Sequence, residues 1–166
     1  VAITAGQTVK ASDLNALSGL TACLTADSSI VNNSTAFVST NLVIAVAANT
    51  TYAMESFVIF DSSATADYKC NFLLPVGATM LMSLWGSGVG ATAVDSTIFH
   101  DSLAVTTLPA GGVASGTLMT LRTAGTITIA ATAGNVTYQF AQNTATAVNT
   151  FIKTGSWIKV TPVRLV

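Results

Sequence analysis

His100 is the chain's one histidine, and Asp101 and Ser102 follow it directly. These three residue types make a hydrolytic triad when nucleophile, base and orienting acid converge from separate segments. Adjacent residues along a strand alternate faces, so the tripeptide cannot be a triad by itself and reads as a surface-loop histidine. Zinc held through His100 would need two or three more Cys, His or carboxylate ligands, and a chain with seven acids and two cysteines offers few. Asp61 and Asp67 bracket a loop, but an EF-hand would want Gly and Glu where Ala66 and Phe72 stand. A looser calcium site from Asp61, Asp67, Asp95 or Asp101 stays open. Gly86-Ser87-Gly88-Val89-Gly90-Ala91 spells a dinucleotide-binding turn, yet neither a helical pattern nor an acid about twenty residues on follows it. It reads as a glycine-rich loop. The Asn-x-Ser/Thr spellings at Asn32, Asn33, Asn49 and Asn135 are expected by chance in a chain this rich in Ser and Thr. The residues point to no catalytic constellation, metal set or cofactor, and no enzyme is expected.

Two tryptophans carry the remaining interest. Trp85 and Trp157 alternate with Leu84 and Ile158, so if the aliphatic neighbours face a core, both indoles point outward. There they suit a subunit or ligand contact; a one-residue bulge would turn either inward, and both outcomes stay open. Cys70 falls on the apolar side of its stretch and reads as a small buried hydrophobe. A Cys23–Cys70 disulfide is the lesser expectation, because a core of this size needs no staple.

The elements that must position these residues centre on Leu42–Pro75. Tyr52, Met54, Ser56, Val58 and Phe60 share one face, and Tyr68, Cys70, Phe72 and Leu74 share another. A period of two with aromatic and β-branched residues marks strands covering a core on one side. Asp61–Ala66 is too small and polar to extend either strand and forms a hairpin or a longer connection. Further strands are expected at Ala36–Ser39, Leu42–Ala47, Thr79–Trp85, Val105–Thr107, Ser115–Arg122, Gly125–Ala130, Asn135–Ala141, Thr150–Lys153 and Ser156–Pro162. Turn signals separate them at Pro75-Val76-Gly77, Gly86–Gly90, Pro109–Gly112, Ala124-Gly125 and Thr154-Gly155. Many short strands with no helical period between them predict an all-β, jelly-roll-like two-sheet β-sandwich over residues 28–166. Residues 1–27 read as an N-terminal arm with one helical turn, capped by Ser12 and stopped by Gly19. Such an arm is too short to fold alone and must dock on something.

Composition constrains the partners. Of 166 residues, 51% are hydrophobic and 8% charged, against a usual charged share of roughly 25%. So few charges point to surface hidden in subunit contacts, the plainer alternative being a lone sandwich with a Thr/Ser/Asn surface. Mean hydropathy is +0.63, but the longest apolar run, Leu42–Ala48, is far short of the ~20 residues of a spanning helix. Prolines and glycines interrupt the regular strands of a membrane barrel, and no signal peptide is visible. The six scattered basic residues and a net charge of −1 argue against direct nucleic-acid binding.

Three stretches resemble small virion proteins of tailed bacteriophages. Ala5–Leu17 (AGQTVKASDLNAL) is similar to the leader of head-fibre, minor tail and tail-fibre proteins. Ala45–Tyr52, Asp67-Tyr68-Lys69 and Pro75–Met80 resemble the β-domain that follows such a leader, and Gly155–Val160 its closing strand. The resemblance implies a homotrimeric, jelly-roll-like domain on the outer surface of a capsid or tail, assembled in the host cytoplasm. With no distal shaft following, it implies a capsid decoration or cement protein sooner than a tail fibre. Val9, Leu14, Leu17 and Leu20 would then grip the major capsid protein. A minor tail or tail-fibre protein and a carbohydrate- or receptor-binding module using Trp85 and Trp157 are the alternatives.

Overall fold

The computed structural model describes residues 19–92, 98–104 and 107–163, with backbone alone over 98–104. Among them are eleven strands and no helix: β1 (Leu20–Cys23), β2 (Val38–Val46), β3 (Thr50–Asp61), β4 (Tyr68–Leu73), β5 (Thr79–Gly86), β6 (Ile98–Ala104), β7 (Leu108–Ala110), β8 (Leu118–Ile129), β9 (Gly134–Gln142), β10 (Phe151–Ile152) and β11 (Trp157–Pro162). They pair into two antiparallel sheets. The larger runs β1-β11-β3-β8-β5-β6, with β10 also on β3, and the smaller runs β2-β9-β4-β7. The helical turn expected within residues 1–18 lies outside the described residues.

Alternation makes the core. Tyr52, Met54, Ser56, Val58 and Phe60 of β3 are all buried, as are Tyr68, Cys70 and Phe72 of β4. These two strands belong to opposite sheets, so Asp61–Asp67 is a crossing between layers and not a hairpin turn. Phe60 stacks on Tyr68 across the interior with centroids 4.3 Å apart, and Phe72 meets Tyr138 edge-on at 5.0 Å. The phenols of Tyr68 and Tyr138 are fully buried, and their hydroxyls bond to each other at 2.9 Å. That bond offsets much of the cost of taking two hydroxyls out of water.

Several expected boundaries are corrected by tertiary contacts. Ser115–Arg122 and Gly125–Ala130 are one strand, β8, paired with β3 without interruption from Thr50↔Ile129 to Asp61↔Leu118. The Ala124-Gly125 signal is no turn: a Cβ on Gly125 would lie 2.1 Å from the Leu81 carbonyl oxygen and 2.6 Å from Met82 Cα. The glycine lets β5 approach. Ala36–Ser39 and Leu42–Ala47 merge into β2, with a register shift between Ser39 and Val43. Of the strand expected at Val105–Thr107, Val105 and Thr106 lie outside the described residues and Thr107 is not in a strand; Leu108–Ala110 forms β7. Pro109 is tolerated there because β7 is an edge strand, where a missing N–H breaks no ladder. Leu20–Cys23, read from sequence as part of the arm, pairs with β11 from Leu20↔Val160 to Cys23↔Trp157.

One end of the sandwich is tied by Asp67. This residue adopts φ 49° and is 5% exposed. Its carboxylate accepts N–H bonds from Gly90 at 3.1 Å and Gly112 at 3.0 Å, joining three loops. Burial pushes its carboxyl above the ordinary value, the two N–H donors opposing that shift. A carboxyl whose pKa is raised by folding holds its proton more tightly in the folded chain. Its contribution to stability is complete below the ordinary 3.8 and is lost as pH rises through the folded value.

Two outcomes are expected. Gly125→Val forces apart β5 and β8 and lowers unfolding free energy by about 1–3 kcal/mol or more, read from the urea midpoint; an unchanged midpoint would refute the close approach. Asp67→Asn keeps the left-handed backbone but cannot titrate. Unfolding free energies of the two proteins compared from about pH 3 to pH 7 should diverge, the native chain losing relative stability as pH rises through its carboxyl's folded value.

Candidate functional site

The larger sheet turns Trp157, Phe57, Arg122 and Trp85 to its outer side in one cross-strand row over β11, β3, β8 and β5. The register is Trp157↔Phe57, Phe57↔Arg122 and Trp85↔Arg122. The next row along the strands is Lys159, Glu55, Ala124 and Ser83. Each is set outward by parity, because Ile158, Ser56, Thr123 and Leu84 beside them are buried. Both tryptophans are half-buried.

The two tryptophans border a single depression of about 430 Å³, together with Glu55, Ser56, Arg122, Thr123 and Ala124. Small Ala124 between large neighbours leaves the space. Ser56 and Thr123 stand opposite each other on β3 and β8, and their hydroxyls share a buried 2.6 Å bond. Arg122 holds its guanidinium 6.0 Å from the Phe57 ring centroid, a cation over an aromatic face. Glu55 is exposed. Among the described residues the ion pair is Lys153–Asp27, so Glu55 is joined neither to Lys159 opposite it nor to Arg122 on the diagonal. A carboxylate and a guanidinium thus stand in one depression without neutralising each other, between two indoles. That arrangement can stack a flat apolar surface while donating and accepting hydrogen bonds.

The other sequence candidates fall elsewhere. Gly86–Ala91 packs backbone on backbone: Gly111 N–H donates to Ser87 O at 2.8 Å, and a Cβ on Gly111 would fall 1.8 Å from Gly88 O. Two of its amides are used within the fold, Gly90 N–H on Asp67 and Ala91 N–H on Gly88 O. Asp61 accepts the Gly116 N–H with both oxygens at 3.0 Å. Asp61 and Asp67 are therefore loop clamps, and no cluster of three or more metal-ligating side chains occurs among the described residues. Asp95 lies outside those residues, as do the side chains of His100, Asp101 and Ser102. Cys23 and Cys70 are both free, the first exposed and the second buried. Burial pushes the Cys70 thiol up to about 12, so it stays protonated and inert. Of the anchor residues, Val9, Leu14 and Leu17 lie outside the described residues, and Leu20 stands 42% exposed on edge strand β1. No helix among the described residues is long and apolar enough to cross a membrane.

Comparison with known proteins gives little more. No family model matches the chain, and no curated protein does. Among solved structures, the VP2 subviral particle of infectious bursal disease virus matches at 12% identity and a TM-score of 0.25, over 88% of this chain and 42% of that one. The structure of the Gt strain of infectious bursal disease virus matches at 14% identity and a TM-score of 0.22, with 88% and 42% covered. The chain thus spans less than half the length of either. Both neighbours come from a virus, but a likeness this weak carries no argument about what this chain does.

Proposed function

We propose that this chain is a structural, non-enzymatic virion protein: a homotrimer on the outer surface of a bacteriophage head that decorates and stabilises it by binding the major capsid protein. The observation that carries the reading is the outer face of the smaller sheet. Its outward, at least partly exposed positions are Ser39, Asn41, Val43 and Ala45 on β2, Asn135 and Gln139 on β9, Lys69, Asn71 and Leu73 on β4, and Pro109 on β7, with Thr137 and Ala141 of β9 buried among them; Lys69 alone is charged. Val43 and Leu73 flank Thr137 in one cross-strand row and are 39% and 52% exposed. A broad face with one charge and an apolar row suits burial against another subunit, at roughly 25 cal/mol per Å² of apolar area covered.

Two further features support it. The order β2-β9-β4-β7 in one sheet and β3-β8-β5-β6 within the seven-stranded other supports the jelly-roll reading, an architecture common in viral shells. The stretches that resemble phage virion proteins include the leader, in which Val9, Leu14 and Leu17 precede β1. Because β1 begins at Leu20, removing residues 1–18 leaves every described strand intact.

Light scattering at physiological salt should give three times the 16.9 kDa chain mass, and Leu73→Asp should lower it. A monomer would refute the trimer. The chain lacking residues 1–18 should stay folded and fail to bind phage heads stripped of decoration. Binding by the truncated chain would remove the arm as anchor, and binding to tails alone would favour a minor tail or tail-fibre protein.

A further inference from the structure

The depression on the larger sheet lies on the opposite side of the sandwich from the smaller sheet's outer face and differs from it chemically. From its two indoles, its Glu55 and Arg122 (in no ion pair among the described residues), and its size we infer that it is a binding site for a neutral saccharide. The inference does not rest on the virion reading.

Four observations carry it. First, a volume of about 430 Å³ falls within the roughly 300–1,000 Å³ of small-molecule sites. Second, Trp85 and Trp157 rise from β5 and β11, with β3 and β8 between them. Adjacent strands are about 4.8 Å apart, so the two backbones stand roughly 14 Å apart, a span that takes one or two sugar rings between or across the indoles. The C–H face of a pyranose is apolar and stacks on such a ring, while its hydroxyl edge needs donors and acceptors. Third, Glu55 supplies acceptors and Arg122 donors, and neither is in an ion pair among the described residues. An anionic ligand would gain at Arg122 but meet repulsion at Glu55, and a cationic one the reverse. A neutral polyhydroxyl ligand uses both. Fourth, the surrounding face is hydroxylated: Thr51, Thr120, Thr126 and Thr128 point to the same side, with Thr51 and Thr128 hydroxyls 3.3 Å apart. A protein partner favours an apolar, charge-depleted centre; this centre holds two opposite charges in a field of hydroxyls.

The site reports on itself, because Trp85 and Trp157 are the chain's two tryptophans. The intact protein is screened on an array of neutral and acidic glycans, and each glycan that binds is titrated while tryptophan emission is followed. The expected result is binding of neutral oligosaccharides, with a saturable emission change. Trp85→Ala, Trp157→Ala and Glu55→Gln should each weaken that binding about tenfold, worth about 1.4 kcal/mol. Glu55 is exposed and its substitution isosteric, so Glu55→Gln keeps the test sound if a tryptophan variant fails to fold. Binding to no glycan, to acidic glycans alone, or with an affinity indifferent to Glu55→Gln overturns the inference. So does a Glu55→Gln or Trp157→Ala protein that binds glycan normally but loses its oligomeric mass, since the face would then be a subunit contact.

Discussion

The pairing of β3 with β8 sets both faces of the larger sheet at once. Twelve consecutive residues of each strand are in register, and a one-residue slip would exchange every inward side chain for an outward one. Inward, the register delivers Met54, Val58, Phe60, Leu121 and Ile127 to the core. Outward, it sets Phe57 beside Arg122 and Glu55 beside Ala124. The core and the depression are therefore two readings of one ladder. Gly125 is the condition for it, because any side chain there would displace β5 and, with it, Trp85.

Those constraints explain what was legible in the sequence. Strands with one wet face announce themselves by alternation, so Tyr52–Phe60 and Tyr68–Leu74 were readable, whereas the direction of Trp85 and Trp157 stayed open until the register fixed it outward. Exceptions arose where a neighbour decides. β1 is a four-residue edge strand with three exposed positions and has no alternation to read. Gly125 and Pro109 carry turn chemistry but serve close approach and an edge. The depression was readable only as two separate tryptophans. Their meeting depends on β3 and β8 lying between β11 and β5, a long-range order that no local pattern encodes.

Low charge also has a different meaning in the two sheets. On the larger sheet, threonine hydroxyls wet the surface without charge, so a charge-poor face there is not a hidden one. On the smaller sheet the exposed outward positions mix amides, Ala45, Val43 and Leu73, so few charges there leave a partly apolar face. Composition alone cannot separate these cases, because threonine and valine differ little in size and share the same β-branched fit to a strand.

This division fixes how assembly and ligand binding can coexist. Burial of the larger sheet's outer face in a subunit contact would take Glu55, Arg122 and Lys159 out of water together, and three charges are costly to desolvate in an interior. Burial of the smaller sheet's face strands Lys69 alone, whose ammonium already lies 5.1 Å from the Phe37 ring centroid and whose long stem can carry it to a rim. The cheaper arrangement places subunits against β2-β9-β4-β7 and leaves Trp85 and Trp157 facing outward. Any assembly built this way presents the depression once per subunit on its exterior. Weak single-site binding to a saccharide would then be multiplied by the number of copies displayed together.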